Sequence, residues 1–169
     1  MKEKAIYFPG FNGIRAIAAL IVLFWHLDQF MPQFGFTGMG YYQNGMAHHA
    51  VNIFFVLSGF LITYLLLTEK QKTDTISVRN FYLRRIFRIW PLYYLALAIG
   101  LVMAVSGIIQ LPENVGQSIF FYTFLLANMA YVLNLDMVAI TPLWSVGVEE
   151  QFYFIYPFLL IKNLSFNFF

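Results

Sequence analysis

Two ionisable side chains stand in the first apolar segment of the chain, spaced so that they could act together. Arg15 and His26 are eleven residues apart, which on an α-helix is about 16 Å of rise and almost three full turns, so both side chains point to one face. An imidazole titrates near neutral pH and can take a proton from a hydroxyl group. The spacing therefore predicts a polar helix face with a general base. The residues also allow a structural interpretation, in which Arg15 extends to solvent and His26 bonds a backbone carbonyl.

A second pair of ionisable side chains, Glu149 and Glu150, interrupts an apolar segment near the other end of the chain. Neighbouring residues on a helix point about 100° apart, so the two carboxylates cannot share one proton as a dyad. Glu149 and Tyr153 are four residues apart and lie on one face. The pattern predicts that one carboxylate faces a polar interior while the other reaches the interface or pairs with a cation. A structural ion pair with Arg15 or Arg85 would account for the same residues.

A cluster of arginines, Arg84, Arg85 and Arg88, stands directly before Trp90 and Pro91. Arg85 and Arg88 are three residues apart, so they project from neighbouring points of one helical face and can hold a phosphate together. An arginine cluster next to a membrane span is also typical of a topology signal and of contact with anionic lipids. The residue pattern alone leaves both interpretations open.

The composition is that of an integral membrane protein. Hydrophobic residues make up 60% of the 169 residues and charged residues 11%, against roughly 45–50% and about 25% in soluble domains. So much apolar surface excludes intrinsic disorder. Six of the ten Lys and Arg residues fall between Lys70 and Arg88, which indicates membrane topology rather than nucleic-acid binding. Because the chain has no cysteine, a thiolate nucleophile and a Cys-based metal site are excluded, and we expect no metal.

Five segments are long and apolar enough to be membrane spans, since a spanning helix needs about 20 mostly apolar residues. The sequence therefore predicts an all-α, polytopic transmembrane helix bundle. The stretch 68–89 is strongly polar, and its end could be an amphipathic helix at the interface. The predicted spans lie near 12–31, 47–67, 90–110, 115–134 and 142–161.

The distribution of basic residues also predicts an orientation. Positive charges favour the cytoplasmic side, which places the 70–88 segment there. The N-terminus, with Lys2 and Lys4, then lies in the cytoplasm as well. We therefore expect a multi-pass protein of the plasma (inner) membrane.

Taken together, the motifs resemble those of the membrane acyltransferase 3 family, bacterial enzymes that O-acylate cell-surface sugars. The resemblance covers nearly the whole chain, but only about the first half of a typical family domain of roughly ten spans. It therefore predicts a partial domain over 1–169. The matching pieces, in the family's order, are the Arg15–His26 spacing, FFVLSGFLI at 54–62, RRIFRIWPLYY at 84–94 and WSVGVEEQFY at 144–153.

The resemblance implies an activity and a set of site residues. Family members take an acyl group, usually acetyl, from cytoplasmic acyl-CoA and deliver it to a hydroxyl of an acceptor beyond the membrane. By motif, Arg15 and His26 are implied as the essential pair, Arg85 and Arg88 as the residues that hold the phosphates of coenzyme A, and Glu149 as the glutamate of the later motif. The expected partners are the lipid bilayer, acyl-CoA (acetyl-CoA in the usual case) and a carbohydrate acceptor.

Under this interpretation, His26 deprotonates the acceptor hydroxyl or transiently carries the acyl group. Arg15 lies about 16 Å from it along the helix, so we expect it to contact the donor near the cytoplasmic side instead. Glu149 would hold a histidine tautomer or pair with an arginine. One departure is Asn52, which stands where many members carry an acidic residue.

Two other functions fit the same residues. The chain ends at Phe169, before the family's later spans, so a catalytically inactive, truncated remnant is one alternative, and an activity assay separates it from an enzyme. A small proton-coupled transporter is the other, because Arg, His and Glu within a membrane are also what a proton path needs. Coenzyme A binding that depends on Arg85 and Arg88 would favour the acyltransferase.

Overall fold

The computed structural model describes residues 8, 10–40, 45–109, 112–137 and 140–166. Within these ranges the protein is all-helical, with 79% helix and no strand, which confirms the predicted fold class. Two compact units divide the chain, Met1–Leu65 and Leu66–Phe169. The α-helices are α1 (Phe11–Phe30), α2 (Met46–Thr73), α3 (Val78–Val105), α4 (Val115–Thr123), α5 (Ala127–Val132) and α6 (Leu143–Phe166), and a short 3₁₀ helix at Met31–Phe34 follows α1.

Three helices, α1, α2 and α3, are long and apolar enough to cross a membrane. The first two correspond to the predicted spans 12–31 and 47–67. Both α2 and α3 have 28 residues, or about 42 Å at the usual rise. Because the hydrocarbon core of a bilayer is about 30 Å thick, each of these helices is long enough to reach beyond it at one or both ends.

The third candidate span begins twelve residues earlier than the sequence predicts, at Val78 instead of residue 90. Ser77 caps its N-terminus and accepts a hydrogen bond from the backbone N–H of Asn80 at 3.4 Å. The helix then continues through Pro91. The arginine cluster is therefore part of the candidate spanning helix itself and not of a separate interfacial helix.

Two short helices, α4 and α5, occupy the segment 115–134, where the sequence predicts a single span. The turn between them contains Leu125, whose backbone is left-handed with φ of 60°. No proline or glycine marks this turn in the sequence. The segment is apolar enough to span, but its backbone changes direction at this turn.

The interruption is stabilised by tyrosines of α3. Tyr93 donates a hydrogen bond to the carbonyl of Tyr122 at 2.7 Å, and Tyr94 donates one to the carbonyl of Thr123 at 2.9 Å. Helix-terminal carbonyls are costly in an apolar environment unless protein donors satisfy them. Side chains from another helix therefore make the early end of α4 possible, and hydropathy along the segment does not detect them.

The core of the second unit packs α3 against α4, α5 and the residues after them. Gly100 of α3 approaches Ile140 so closely that a Cβ at this position would overlap Cγ2 of the isoleucine. Because Gly100 has no side chain, α3 can pack this closely against Ile140. The buried members of this core are Leu97, Tyr122, Ala127, Ala130, Met137 and Ile140.

Helix α6, the predicted fifth span at 142–161, is fixed against α5 by polar contacts. The side-chain amides of Asn128 and Gln151 exchange two hydrogen bonds, of 3.2 and 2.9 Å. Gly147 lies beside the same asparagine, where a Cβ would be 2.9 Å from Asn128 Oδ1 and 3.1 Å from the carbonyl oxygen of Leu125. These contacts set the position of the helix that carries the paired glutamates.

In the first unit, aromatic rings pack α1 against α2. Phe8, Phe11, Phe60 and Tyr64 contact one another with ring centroids 4.9–6.2 Å apart. Near the other end of α1, the carboxylate of the fully buried Asp28 accepts a hydrogen bond from the backbone N–H of Met39. These contacts hold α1 at both ends.

Candidate functional site

Arg15 and His26 lie on one stripe of α1, as their spacing predicts. The helix is continuous from Phe11 to Phe30, so Arg15, Ala18, Val22 and His26 follow one another along the same side. Ala18 is buried and the other three are half-buried. Both predicted residues are therefore on the packed side of α1. The opposite side is exposed at Ile17, Leu20 and Leu23.

The imidazole of His26 is oriented by neighbours on its own helix. The indole of Trp25 contacts it edge to face, with ring centroids 4.7 Å apart. The side chain of Gln29 lies three residues further along the same helix, near the imidazole. The aromatic contact limits how the imidazole ring can turn.

In the second unit, the three clustered arginines have three different environments. Arg84 pairs with Glu69 at 3.2 Å, and the same carboxylate accepts a hydrogen bond from the backbone N–H of Ser77 at 3.0 Å. Arg85 is half-buried, whereas Arg88 is exposed one turn further along α3. Arg84 therefore helps to hold the start of α3 in place. The two predicted phosphate ligands differ in exposure, since Arg85 is half-buried and Arg88 is exposed.

Arg85 is held between two aromatic rings. Its guanidinium carbon lies 5.6 Å from the ring centroid of Phe81 and 5.2 Å from that of Tyr153. Guanidinium groups within about 6 Å of an aromatic face are attracted by the ring quadrupole. The rings fix the position of the guanidinium through its face. Its N–H groups are not needed for these contacts.

Tyr153 also contacts Glu149, the glutamate of the later motif. Its hydroxyl donates a hydrogen bond to Glu149 Oε2 at 2.8 Å. Arg85 and Glu149 are near enough to interact electrostatically. The structure thus brings together, around one buried tyrosine, a predicted phosphate ligand and a predicted catalytic carboxylate.

Glu150 has a hydrogen-bond partner that the sequence does not reveal. The indole N–H of Trp90 donates a hydrogen bond to Glu150 Oε2 at 3.1 Å. The second carboxyl oxygen, Oε1, is buried and has no hydrogen-bond partner among the described residues. The two glutamates therefore contact different residues, Glu149 with Tyr153 and Glu150 with Trp90.

A cavity of about 480 Å³ lies beside these residues in the second unit, a volume within the usual range for small-molecule sites. Its charged and amide lining residues are Arg85, Glu150 and Gln151, and three residues with both polar and aromatic parts, Tyr82, Trp90 and Tyr153, also line it. Its apolar walls include the turn between α4 and α5, residues 124–126, and the side chains of Phe154 and Ile155. Such a cavity suits a ligand with a mainly apolar body and a few polar groups.

The wall between α3 and α6 is fixed by Tyr82. Its hydroxyl donates a hydrogen bond to the carbonyl oxygen of Phe154 at 2.7 Å. That carbonyl lies in the turn before Pro157, which is inside α6, and a proline in a helix disturbs the backbone bonds of the preceding turn. The tyrosine supplies an extra donor at this weakened point.

Comparison with known proteins assigns the family. Residues 8–168 of the chain match a family of proteins described as an acyltransferase domain. The chain belongs to the membrane acyltransferase 3 family. This confirms the resemblance seen in the four motifs.

Two relatives of this acyltransferase family illustrate the match. The peptidoglycan O-acetyltransferase OatA of Listeria monocytogenes is 34% identical over 167 residues, which cover 94% of this chain and 25% of that protein. The O-acetyltransferase OatA of Staphylococcus aureus is 31% identical over 161 residues, covering 91% and 25%. The chain thus spans about a quarter of the length of the curated relatives it matches. No solved structure matches it.

The arrangement adds to the candidate site two residues that the sequence analysis noted but did not assign to it, and it shows contacts of theirs that the sequence does not reveal. Tyr153 belongs to the site because its ring contacts Arg85 and its hydroxyl donates a hydrogen bond to Glu149. Glu150 belongs to it because it accepts a hydrogen bond from Trp90 beside the cavity. Only the spacing of four between Glu149 and Tyr153 is a usable signal. Arg15 and His26 belong to the first unit, and the cavity and its glutamates to the second.

Proposed function

We propose that the protein is an O-acyltransferase that transfers an acyl group, acetyl in the first instance, from acyl-CoA to a hydroxyl of a cell-surface carbohydrate. The observation that carries the proposal is the guanidinium of Arg85, fixed between two rings at a cavity of about 480 Å³. Family membership and the O-acetyltransferase relatives support the reaction type.

In this proposal, the two arginines bind the phosphates of the donor. Arg85 supplies N–H donors from a fixed position, which reduces the entropy lost on binding. Arg88, exposed one turn away, closes on the same phosphate or its neighbour. Charge-assisted bonds between guanidinium and phosphate are stronger than neutral hydrogen bonds.

His26 supplies the base. It takes the proton of the acceptor hydroxyl as the oxygen attacks the thioester carbonyl, so a carbon–oxygen bond forms and the carbon–sulfur bond breaks. The leaving thiolate of coenzyme A then receives that proton. We propose that Arg15 contacts the acyl-CoA donor. The negative charge of Glu149 would balance the positive charge of Arg85. The proposed orientation places the N-terminus and the arginine cluster in the cytoplasm of a plasma membrane, because basic residues favour that side.

The test is acetyl transfer by the 169-residue chain reconstituted in lipid nanodiscs. Radiolabelled acetyl-CoA is the donor and soluble peptidoglycan fragments are the acceptor, with ester-linked label as the readout. We expect wild-type transfer to be abolished by His26→Ala, with unchanged membrane insertion and acetyl-CoA binding. The control is His49→Ala, an exposed residue of α2. Full transfer by His26→Ala would remove this residue from the reaction.

A further inference from the structure

Glu150 offers a hydrogen-bond acceptor that no described residue of the protein uses. One carboxyl oxygen is fixed by the indole of Trp90, at 3.1 Å, and the other is buried without a hydrogen-bond partner among the described residues. A buried acceptor left unpaired is costly, and such groups in native proteins call for an explanation. The indole contact fixes the carboxylate, so its second oxygen is pre-positioned.

The surroundings of Glu150 define what would satisfy this oxygen. Glu150 lines the cavity together with Arg85, and the two are close enough to interact electrostatically. Most of the remaining lining is apolar. The cavity therefore suits a flexible, mostly uncharged chain that carries an N–H donor and is attached to an anionic group.

We propose that Glu150 recognises the arm of the acyl-CoA donor that joins the thioester to the phosphates, with its Oε1 accepting a hydrogen bond from an amide N–H of that arm. This inference rests on the donor named in the proposed function. The arm contains two amides in an otherwise aliphatic chain, which matches a mostly apolar cavity where Glu150 Oε1 is a buried acceptor without a partner among the described residues. Glu150 is then a binding residue for the donor, and Trp90 is its positioning residue.

The variant Glu150→Gln tests the acceptor with little change of shape. The indole N–H of Trp90 requires an acceptor, so it retains the glutamine carbonyl, and the side-chain amide then presents an N–H donor to the cavity. Two probes are titrated against the full chain in nanodiscs: acetyl-CoA, and the phosphoadenosine diphosphate half of coenzyme A, which lacks the arm. We expect acetyl-CoA affinity to fall about tenfold or more, with nucleotide affinity unchanged.

A second variant tests the cavity from its rim. Ile155 lines the cavity and Leu159 does not, although both are about half exposed on α6. Ile155→Trp should weaken acetyl-CoA binding and spare the nucleotide half, whereas Leu159→Trp should change neither.

The outcomes separate this inference from the proposed function. Unchanged acetyl-CoA affinity in Glu150→Gln, or equal losses for both probes, would overturn the role of Glu150 and leave the donor proposal intact. Failure of the wild-type chain to bind acetyl-CoA would overturn the donor proposal and this inference with it.

Discussion

Tyr153 contributes two different contacts to the second unit: its ring lies beside the guanidinium of Arg85, and its hydroxyl donates to Glu149. The contact with Glu149 is predictable, because the residues are four apart on one helix. The contacts of Arg85 with Tyr153 and of Trp90 with Glu150 join residues that are far apart along the chain. Nothing local in the sequence encodes such pairs, since they depend on how α3 and α6 pack.

The variant Tyr153→Phe separates these two contacts. It keeps the ring beside Arg85 and removes the bond to Glu149, a loss of about 1 kcal/mol or more. We expect acetyl-CoA affinity to stay near that of wild type, while the transfer rate falls about fivefold or more. Binding and single-turnover measurements check this. The control is Tyr131→Phe, at an exposed position of α5. An unchanged transfer rate would show that the hydroxyl has no role in the reaction.

The three arginines provide a matched series. Arg85→Ala and Arg88→Ala should each weaken acetyl-CoA binding, about tenfold for the firmly held Arg85, because a charge-assisted bond to phosphate is lost. Arg84→Ala should stay within about twofold, since Arg84 pairs with Glu69 and exposed pairs contribute little. Isothermal titration with acetyl-CoA measures all three. Equal losses in all three variants would indicate a general surface charge effect instead of a specific site.

At the scale of helices, apolar length predicts most elements but not where they are interrupted. The helices α1, α2 and α6 lie where the sequence places spans, although α6 is not among the three candidate spans found in the described residues. Helix α3 is extended by its basic first turns. The segment 115–134 differs because its turn is stabilised by hydroxyl donors from α3. Hydropathy averages over a window, and it records neither a single left-handed residue nor a donor supplied by another helix.

Helix packing at Gly147 gives a stability prediction. An alanine there would place a Cβ 2.9 Å from Asn128 Oδ1 and 3.1 Å from the carbonyl oxygen of Leu125. We expect Gly147→Ala to destabilise the chain by about 1–3 kcal/mol, the usual cost of overpacking. Thermal unfolding in detergent measures it. Gly116→Ala is the control, because nothing lies within 4 Å of its added Cβ and alanine favours a helix. A wild-type melting temperature in Gly147→Ala would contradict the close approach.

At the scale of the whole molecule, the sequence predicts membrane residence and the family, while orientation stays a prediction. Two compact units share the predicted residues: Arg15 and His26 in the first, Arg85, Arg88 and Glu149 in the second. Composition suffices for membrane residence because few charges are available to cover a soluble surface. The division into units depends on which helices pack together, and the positions of residues along the chain do not reveal this.

Orientation can be measured with single cysteines, because the chain has none of its own. Thr75 lies in the exposed connection between α2 and α3, and Thr37 is exposed in the connection after α1. With the N-terminus in the cytoplasm, Thr37→Cys should react with a membrane-impermeant maleimide on intact cells. Thr75→Cys should react only after permeabilisation. The reverse labelling pattern would invert the proposed topology.

If the protein has the proposed function, the turn between α4 and α5 bears on which acyl groups it accepts. Residues 124–126 form part of the cavity wall, yet they belong to neither helix. Side chains in such a turn can change in size without displacing a helical register. We therefore expect the length of acyl chain that the protein accepts to be adjustable at these three positions, which makes them a natural starting point for redesigning donor preference.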